Sequence, residues 1–327
     1  MKLPELYPLR FRPQLIEKVW GGDQLAALFG KKAKGNIGES WEISGVEGHV
    51  SVVDKGVFEG RSLTEILELY GSELLGNQVV ERFGNDFPLL FKFIDAREDL
   101  SVQLHPNDAI AAERHNSFGK TEMWYILHAE ENARLILGFD REMDRETYET
   151  YLSEGKITEI LGETEVKKGD AFFIAPGTVH AIGAGVVLAE IQQTSDITYR
   201  IFDWNRPGID GKMRELHTQL ALDVIDFQNT NAKLRFMETT NEPSEICTSA
   251  YFSTQLLQLT KPLQKNLEAL DSFLVYMCVE GTATIAAMGH SEKIKKGDTM
   301  LLPACATHLS IATEGATLLE VYVPVAL

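Results

Sequence analysis

Two similar stretches, VKKGDAFFIAPGTVH (166–180) and IKKGDTMLLPACATH (294–308), decide the fold of this chain. Each contains a KKGD turn, an apolar run typical of a buried strand, a proline and a final histidine. The glycine and the histidine are equally far apart in the two copies, from Gly169 to His180 and from Gly297 to His308.

The similarity extends upstream of both turns. YILHAEENARLIL (125–137) is similar to VYMCVEGTATIAA (275–287), and each reads as a strand, a turn and a strand. The first copy is longer because a helical stretch at 141–161 lies between its two matching parts. The combined match indicates an internal duplication, with one β-rich unit in each half of the chain.

The rest of the chain fits a β-dominated fold with short helical insertions. Most periodic segments are short and β-rich, and Gly, Asp and Asn turns separate them. Helical patterns occupy 62–83, with a Ser cap followed three residues later by Glu, and 141–161. The polar segment 228–247 predicts a linker between an N-terminal unit over 1–227 and a C-terminal unit over 248–327.

The charge balance bears on the class of partner. The chain has 327 residues and a net charge of −17, from 48 acidic and 31 basic residues. Such a surface repels nucleic acid and anionic membranes, so neither is expected as a partner. A small anionic substrate remains possible because a few local Lys and Arg outweigh the global field nearby. No pattern specifies an oligomeric state.

The cysteines and the N-terminus point to the cytoplasm. The three cysteines all lie in the last third of the chain, and their spacing fits neither a disulfide framework nor a CxxC metal site. Reduced thiols suit a cytoplasmic protein. The N-terminal residues lack the apolar core of a signal peptide, and no apolar run approaches the ~20 residues needed to span a bilayer.

Several predicted strands carry one polar row and one apolar row. Strand side chains alternate between faces, so residues of like parity point together. A polar row that faces the inside of a small barrel is costly unless it binds something. The sequence therefore predicts a site inside the first unit. The rows are Ser101, Gln103 and His105; Lys120, Glu122 and Trp124; and Glu190, Gln192, Thr194, Asp196, Thr198 and Arg200.

These rows contain a candidate metal site. His105, Glu122 and His180 supply two imidazoles and one carboxylate, and the amide oxygen of Gln103 is a candidate fourth ligand. Such nitrogen and oxygen sets suit Zn²⁺ with a position left open for water or substrate. In the second copy, alignment of the two turns puts Ser272 in the place of Glu122, so one Zn²⁺ per chain is expected.

A glycine turn, an apolar strand and Pro-Gly-x-x-His form the second half of the cupin signature, and this resemblance implies two jelly-roll β-barrels. The wider pattern resembles the short bacterial form of type I phosphomannose isomerase. The motifs that carry this resemblance are WGG (20–22), GESWEIS (38–44), PLLFKFIDAREDLSVQLHPND (88–108), GKTEMWYIL (119–127), PGTVHAI (176–182) and EIQQTSDITYRIFDWNR (190–206).

The resemblance implies an activity and a set of site residues. The activity is interconversion of mannose 6-phosphate and fructose 6-phosphate through an enediolate, assisted by Zn²⁺. The implied ligands agree with the metal site above. The other implied residues are Ser101, Lys120 and Arg206 for the phosphate, Arg200 for catalysis, the nearby acids Glu190 and Asp196, and Trp20 as a pocket wall.

Two other functions fit part of the pattern. Two His and one carboxylate also describe the facial triad of non-haem Fe(II) oxygenases, which share the barrel. A sugar-sensing or storage protein without catalysis is the alternative outside the enzymes. The amide of Gln103, together with Lys120 and Arg200 on the same face, favours the isomerase over both.

Overall fold

The computed structural model describes residues 3–32, 34–228 and 232–324, so residues 229–231 of the predicted linker lie outside the described residues. Strands dominate the chain, as predicted. In order they are β1 (Gln14–Gly22), β2 (Ile37–Ile43), β3 (Leu89–Ala96), β4 (Val102–Leu104), β5 (Glu122–Ala129), β6 (Arg134–Phe139), β7 (Leu161–Glu165), β8 (Ala171–Ile174), β9 (His180–Ile182), β10 (Val186–Gln193), β11 (Tyr199–Phe202), β12 (Ser244–Thr248), β13 (Ser253–Leu259), β14 (Leu263–Asn266), β15 (Leu274–Ala287), β16 (His290–Lys295), β17 (Thr299–Leu302) and β18 (His308–Tyr322).

Short helices connect the strands, and they include the two helical stretches that the sequence predicts. The stretch 62–83 folds as three consecutive helices, and the first begins with the predicted capping box between Ser62 and Glu65. The stretch 141–161 contains one helix followed by a 3₁₀ turn at Ile157–Ile160. The helices are α1 (Gln24–Phe29), α2 (Leu63–Tyr70), α3 (Ser72–Leu75), α4 (Asn77–Phe83), α5 (Asp108–His115), α6 (Arg145–Ser153) and α7 (Thr218–Leu222).

The first unit is a sandwich of two antiparallel sheets. In the described ranges, sheet I has the order β1-β2-β3-β10-β5-β8 and sheet II has the order β11-β4-β9-β6-β7. An apolar cluster that includes Trp20, Trp124 and Leu188 fills the space between them. The predicted all-β fold is confirmed, with the jelly roll built as a two-sheet sandwich.

The second unit repeats this plan in a more compact form. Its sheet, sheet III, follows the order β12-β13-β18-β15-β16, with β14 added to β18 and β17 added to β15. Strands β15 and β18 are long, and their pairing shifts register at two points. Such shifts bend strands, so that β15 and β18 wrap around one apolar core.

The two KKGD turns have the same structure. Gly169 and Gly297 both adopt positive φ angles, 93° and 86°, which glycine tolerates without strain. The side chain of the next residue, Asp170 or Asp298, accepts a hydrogen bond from the backbone N–H three residues earlier, at 3.0 Å in both copies. The duplication seen in the sequence is therefore also present in the hydrogen bonding.

The strand register corrects one detail of the alignment. Glu122 pairs with Ile174 in the first unit, and Leu274 pairs with Leu302 in the second. Leu274, and not Ser272, is therefore the counterpart of Glu122. The placement of Ser272 opposite Glu122 was wrong because it aligned two turns of different length. Leucine is not a metal ligand either, so the expectation of one Zn²⁺ per chain is unaffected and stays a prediction.

Sheet I uses its two faces for different purposes. Its outer face packs against α2, α3 and α4 and against apolar residues of sheet III, and all of them belong to one core cluster. Its inner face points toward sheet II and carries the polar rows. The boundaries proposed for the two units stay a prediction, and β12 already begins at Ser244. No helix among the described residues is long and apolar enough to cross a membrane.

Candidate active site

A cavity of about 150 Å³ lies between sheets I and II. It is smaller than the 300–1,000 Å³ of pockets for drug-sized ligands, so it suits a small polar molecule. Strands β1, β2, β3, β5 and β10 contribute one wall, and β4, β9 and β11 contribute the other. Of the predicted site residues, the lining includes Trp20, Ser101, Gln103, Lys120, Glu122, His180, Glu190, Asp196 and Arg200.

Three potential metal ligands meet beside this cavity, and two of them, Glu122 and His180, line it. His105 follows β4 directly, Glu122 begins β5 and His180 begins β9. Their ligand atoms all lie within 4.8 Å of one another, and all three side chains are buried. The Nε2 atoms of His105 and His180 lie 3.3 Å and 3.9 Å from the oxygens of Glu122.

Both imidazoles are oriented by backbone carbonyls. Nδ1 of His105 donates to the carbonyl of Ile197, and Nδ1 of His180 donates to the carbonyl of Thr178, each at 2.8 Å. This arrangement fixes the tautomer and leaves both Nε2 lone pairs on the side of Glu122. Burial lowers the pKa of His180 and, with Lys120, lowers that of His105 to about 3, so both rings are neutral at pH 7.

Two atoms of this group lack a hydrogen-bond partner among the described residues. They are Nε2 of His105 and Oε2 of Glu122, and both are buried. A buried polar atom without a partner is costly, and a bound cation satisfies both at once. The donor set therefore fits a divalent metal ion.

Lys120 keeps Glu122 ionised. Burial alone would raise the pKa of Glu122, but the Lys120 ammonium, 3.3 Å from Oε1, together with His105 and His180 outweighs it, and the pKa lies well below its ordinary value. The carboxylate is therefore charged at every physiological pH. This charge is what a metal ligand requires.

A chain of hydrogen bonds runs from the metal ligands to Arg200. Nε2 of Gln103 lies 3.5 Å from Nε2 of His180, and Oε1 of Gln103 accepts from the Ser101 hydroxyl at 3.1 Å. The Ser101 oxygen in turn accepts from Nε of Arg200 at 3.3 Å. Gln103 and His180 are directly paired across β4 and β9, which accounts for their proximity.

A second arginine, which the sequence did not reveal, lines the same part of the cavity. Arg214 lies in a loop, and Asp203 fixes its guanidinium through two oxygens at 2.6 and 2.5 Å. Burial and the Arg214 charge lower the pKa of Arg200. Two guanidinium groups near each other form a favourable place for an anion.

Arg206 and Asp196 are placed differently from their neighbours. Arg206 donates to Glu98 at 3.2 Å and to the carbonyl of Asp99 at 2.5 Å, and it is not part of the cavity lining. Asp196 lines the cavity, but its side chain is exposed. The roles expected for both residues stay predictions.

A buried charged cluster crosses the inner face of sheet I. Nζ of Lys92 lies 2.8 Å from Oε1 of Gln192 and 3.3 Å from Oε1 of Glu190, and it lies over the Trp41 ring. The Trp41 indole donates to Glu39 at 2.6 Å, and Lys18 pairs with Glu39 at 3.1 Å.

The two carboxyl groups of this cluster have very different pKa values. Burial raises the pKa of Glu190 to about 7, although Lys92 opposes the change. At Glu39 the effect of burial is outweighed by Lys18 and Lys92, and the pKa falls to about 2. Paired carboxyls whose pKa values are pushed apart are typical of acid–base sites. Glu190 changes charge near neutral pH, while Glu39 remains an anion.

Sequence reasoning identified Glu190 but missed Lys92, Glu39 and Arg214, although a signal existed for the first two of these. Lys92 interrupts the apolar run PLLFKF, and Glu39 and Trp41 share a strand face in GESWEIS. A charged residue inside an apolar strand indicates a buried partner. Arg214 has no such local signal because it lies in a loop, where its place depends on an ion pair with Asp203.

Comparisons with known proteins agree with this geometry. The model of the type I phosphomannose isomerase catalytic domain matches residues 9–134, and that of the mannose-6-phosphate isomerase cupin domain matches residues 244–322. Mannose-6-phosphate isomerase ManA of Bacillus subtilis is 36% identical over 90% of this chain and 93% of its own length. The mannose-6-phosphate isomerase of Streptococcus mutans is 34% identical over 90% and 92%.

Solved structures show the same relationship. The crystal structure of mannose 6-phosphate isomerase from Bacillus subtilis aligns with a TM-score of 0.87 at 30% identity, covering 96% of this chain and 99% of that one. A phosphomannose isomerase variant from Salmonella typhimurium, at 17% identity, shares the fold with a TM-score of 0.77. The chain is an isomerase and belongs to the type I phosphomannose isomerase family.

Proposed function

We propose that this chain interconverts mannose 6-phosphate and fructose 6-phosphate with the help of one Zn²⁺ ion. The observation that carries the proposal is the composition of a single cavity. It combines a buried His-Glu-His group, two guanidinium groups and a carboxyl whose pKa is about 7. Family membership favours this isomerase over the oxygenase and storage alternatives.

The metal would be held by His105, Glu122 and His180, with the amide oxygen of Gln103 as the fourth ligand. A half-turn of the Gln103 carboxamide brings that oxygen to the side that faces His180. When bound, Zn²⁺ supplies Lewis-acid polarisation of a sugar oxygen. Neutral imidazoles and an ionised carboxylate are the protonation states that this role needs.

The phosphate would be held by one hydroxyl group and by cations that line the cavity. Ser101 and Lys120 are the contacts expected from the sequence, and Arg214 adds a guanidinium that Asp203 already orients. Binding energy from the phosphate positions the sugar without taking part in the proton transfer. A cavity with this many cations also selects phosphorylated over free sugar.

Glu190 is the group that we propose carries the proton between C1 and C2. Its pKa of about 7 allows it to accept and return a proton near neutral pH. Asp196 is exposed, which makes it the weaker candidate. Arg200 would stabilise the negative oxygen of the enediolate, because its guanidinium is fixed before the reaction by Ser101 and by the carbonyl of Glu215.

The test is conversion of mannose 6-phosphate to fructose 6-phosphate before and after chelation, with zinc added back. We expect activity to be lost on chelation and restored by Zn²⁺. Full activity in metal-free protein would contradict the metal site, and no turnover in fully metallated protein would contradict the reaction.

A further inference from the structure

A tyrosine from the second unit forms a hydrogen bond with α5, the helix that begins three residues after the candidate metal ligand His105. Tyr251 lies in the turn between β12 and β13, and its hydroxyl donates to Oδ2 of Asp108 at 2.5 Å. Asp108 is the first residue of α5, three positions after His105. The hydrogen bond therefore joins the half of the chain without the metal site to the half that has it.

The other carboxylate oxygen of Asp108 connects to the segment just before β5 through hydrogen bonds. Oδ1 accepts the backbone N–H of Gly119 at 2.8 Å and the side-chain amide of Gln193 at 2.9 Å. The amide oxygen of Gln193 accepts the backbone N–H of Thr121, also at 2.9 Å. Gly119 and Thr121 flank Lys120, so the residues on both sides of Lys120 depend on Asp108.

The segment has little freedom to rearrange. The backbone N–H of Lys120 donates to the carbonyl of Pro106 at 3.1 Å. A Cβ atom at Gly119 would lie 2.5 Å from the backbone nitrogen of Asp108, closer than real contacts allow. On the other side, the Arg82 guanidinium lies 5.4 Å from the centre of the Tyr251 ring and so holds the ring in place.

We propose that Tyr251 is a positioning residue for Lys120. Through Asp108 and Gln193 it fixes the backbone from Gly119 to Thr121, and this places the Lys120 ammonium 3.3 Å from Glu122 and toward the cavity. The second unit, whose counterpart of Glu122 is Leu274, thereby contributes to the active site of the first. The kinetic part of the proposal rests on the proposed function.

The variant Tyr251→Phe removes only the hydroxyl and keeps the ring. Tyr276→Phe is a matched control in the same unit, because the Tyr276 hydroxyl also donates to a carboxylate, Glu320, at 2.6 Å, and Tyr276 lies in the apolar core of the second unit. Hydrogen exchange of the Gly119 and Thr121 amides, read by NMR, is expected to speed up about tenfold in Tyr251→Phe. The same amides should stay protected in Tyr276→Phe.

The second measurement is steady-state kinetics with bound zinc and melting temperature recorded in parallel. Tyr251→Phe should retain its zinc and lower kcat/KM about tenfold, since small misplacements of a binding group are costly. In a Lys120→Met background the same substitution should have almost no further effect. Asp108→Asn serves as a second variant, with the same expected loss.

The outcomes separate the two proposals. Three results would each overturn the role of Tyr251. They are unchanged exchange of the Gly119 and Thr121 amides in Tyr251→Phe and Asp108→Asn, an unchanged kcat/KM in these variants, and a loss that adds fully to that of Lys120→Met. Absence of turnover in the wild-type protein would instead refute the proposed function. The amide-exchange experiment would then still decide whether Tyr251 holds the segment.

Discussion

Lys92 and Glu190 lie directly opposite each other on β3 and β10, with Nζ of Lys92 3.3 Å from Oε1 of Glu190. Both side chains are buried, and burial raises the pKa of Glu190 to about 7 in spite of this cation. The charge on Glu190 is therefore set by opposing effects, of which burial is the larger and Lys92 the main opponent. This balance makes its protonation sensitive to pH and to mutation of Lys92.

We expect kcat/KM to rise with pH through an apparent pKa near 7, because only the ionised form of Glu190 can accept a proton. Glu190→Gln should remove this limb of the profile and lower kcat by about 10²- to 10⁴-fold. Lys92→Met should move the limb to higher pH, since loss of the cation destabilises the carboxylate. A Glu190→Gln enzyme with the same limb would show that another group titrates.

Loss of one metal ligand can be compared with loss of its counterpart in the second repeat. His105→Ala should reduce bound zinc from one per chain to nearly none and abolish activity, because the remaining ligands no longer complete the site. His308→Ala removes the exposed histidine that ends the second repeat, and this variant should keep both its bound zinc and its activity. Metal analysis and activity assays on both variants provide the check. Zinc retained in active His105→Ala would refute the ligand assignment.

The two arginines near Asp203 are expected to differ. Arg214→Gln should raise KM for mannose 6-phosphate about ten- to a hundredfold, the cost of losing a hydrogen bond to a charged group. The variant Arg206→Gln tests the alternative, because Arg206 is the phosphate contact expected from the sequence, whereas Arg214 is the arginine that lines the cavity. If Arg206 only pairs with the surrounding carboxylates, the KM of Arg206→Gln should change much less than that of Arg214→Gln. A larger increase in KM for Arg206→Gln would support Arg206 as the phosphate contact.

The cysteines should react unequally. Cys247 and Cys278 are buried, and burial raises the pKa of each thiol to about 12, so almost no thiolate exists at pH 8. Cys305 is exposed. A thiol reagent should therefore label one cysteine per native chain at pH 8 and three after unfolding. Rapid labelling of more than one native thiol would show that the packing around the buried cysteines opens readily.

Local alternation identified much of the candidate site. Ser101, Gln103 and Glu122 were predicted to face the inside of the first unit, and they line its cavity. This succeeded because alternation along a strand depends only on the strand itself. The same reasoning found Glu190, whose neighbours Ala189 and Ile191 face the opposite core.

The remaining parts depend on contacts that no local pattern encodes. Arg214 reaches the cavity because Asp203 holds it, and Tyr251 approaches Asp108 only because the two units pack together. Alignment of the repeats failed at Ser272 for a related reason, since turn length and strand register vary independently. Pairing across strands decided the question in favour of Leu274.

The apolar cluster on the outer face of sheet I has a consequence for folding cooperativity. It contains Phe91 and Tyr125 of the first unit together with Phe252 and Phe273 of the second, and all of them are buried. Neither unit can leave this cluster without exposing a large apolar area to water, at about 25 cal/mol per Å². Although the two halves share a repeated pattern, the chain should therefore unfold in a single cooperative transition, and neither half should be stable without the other.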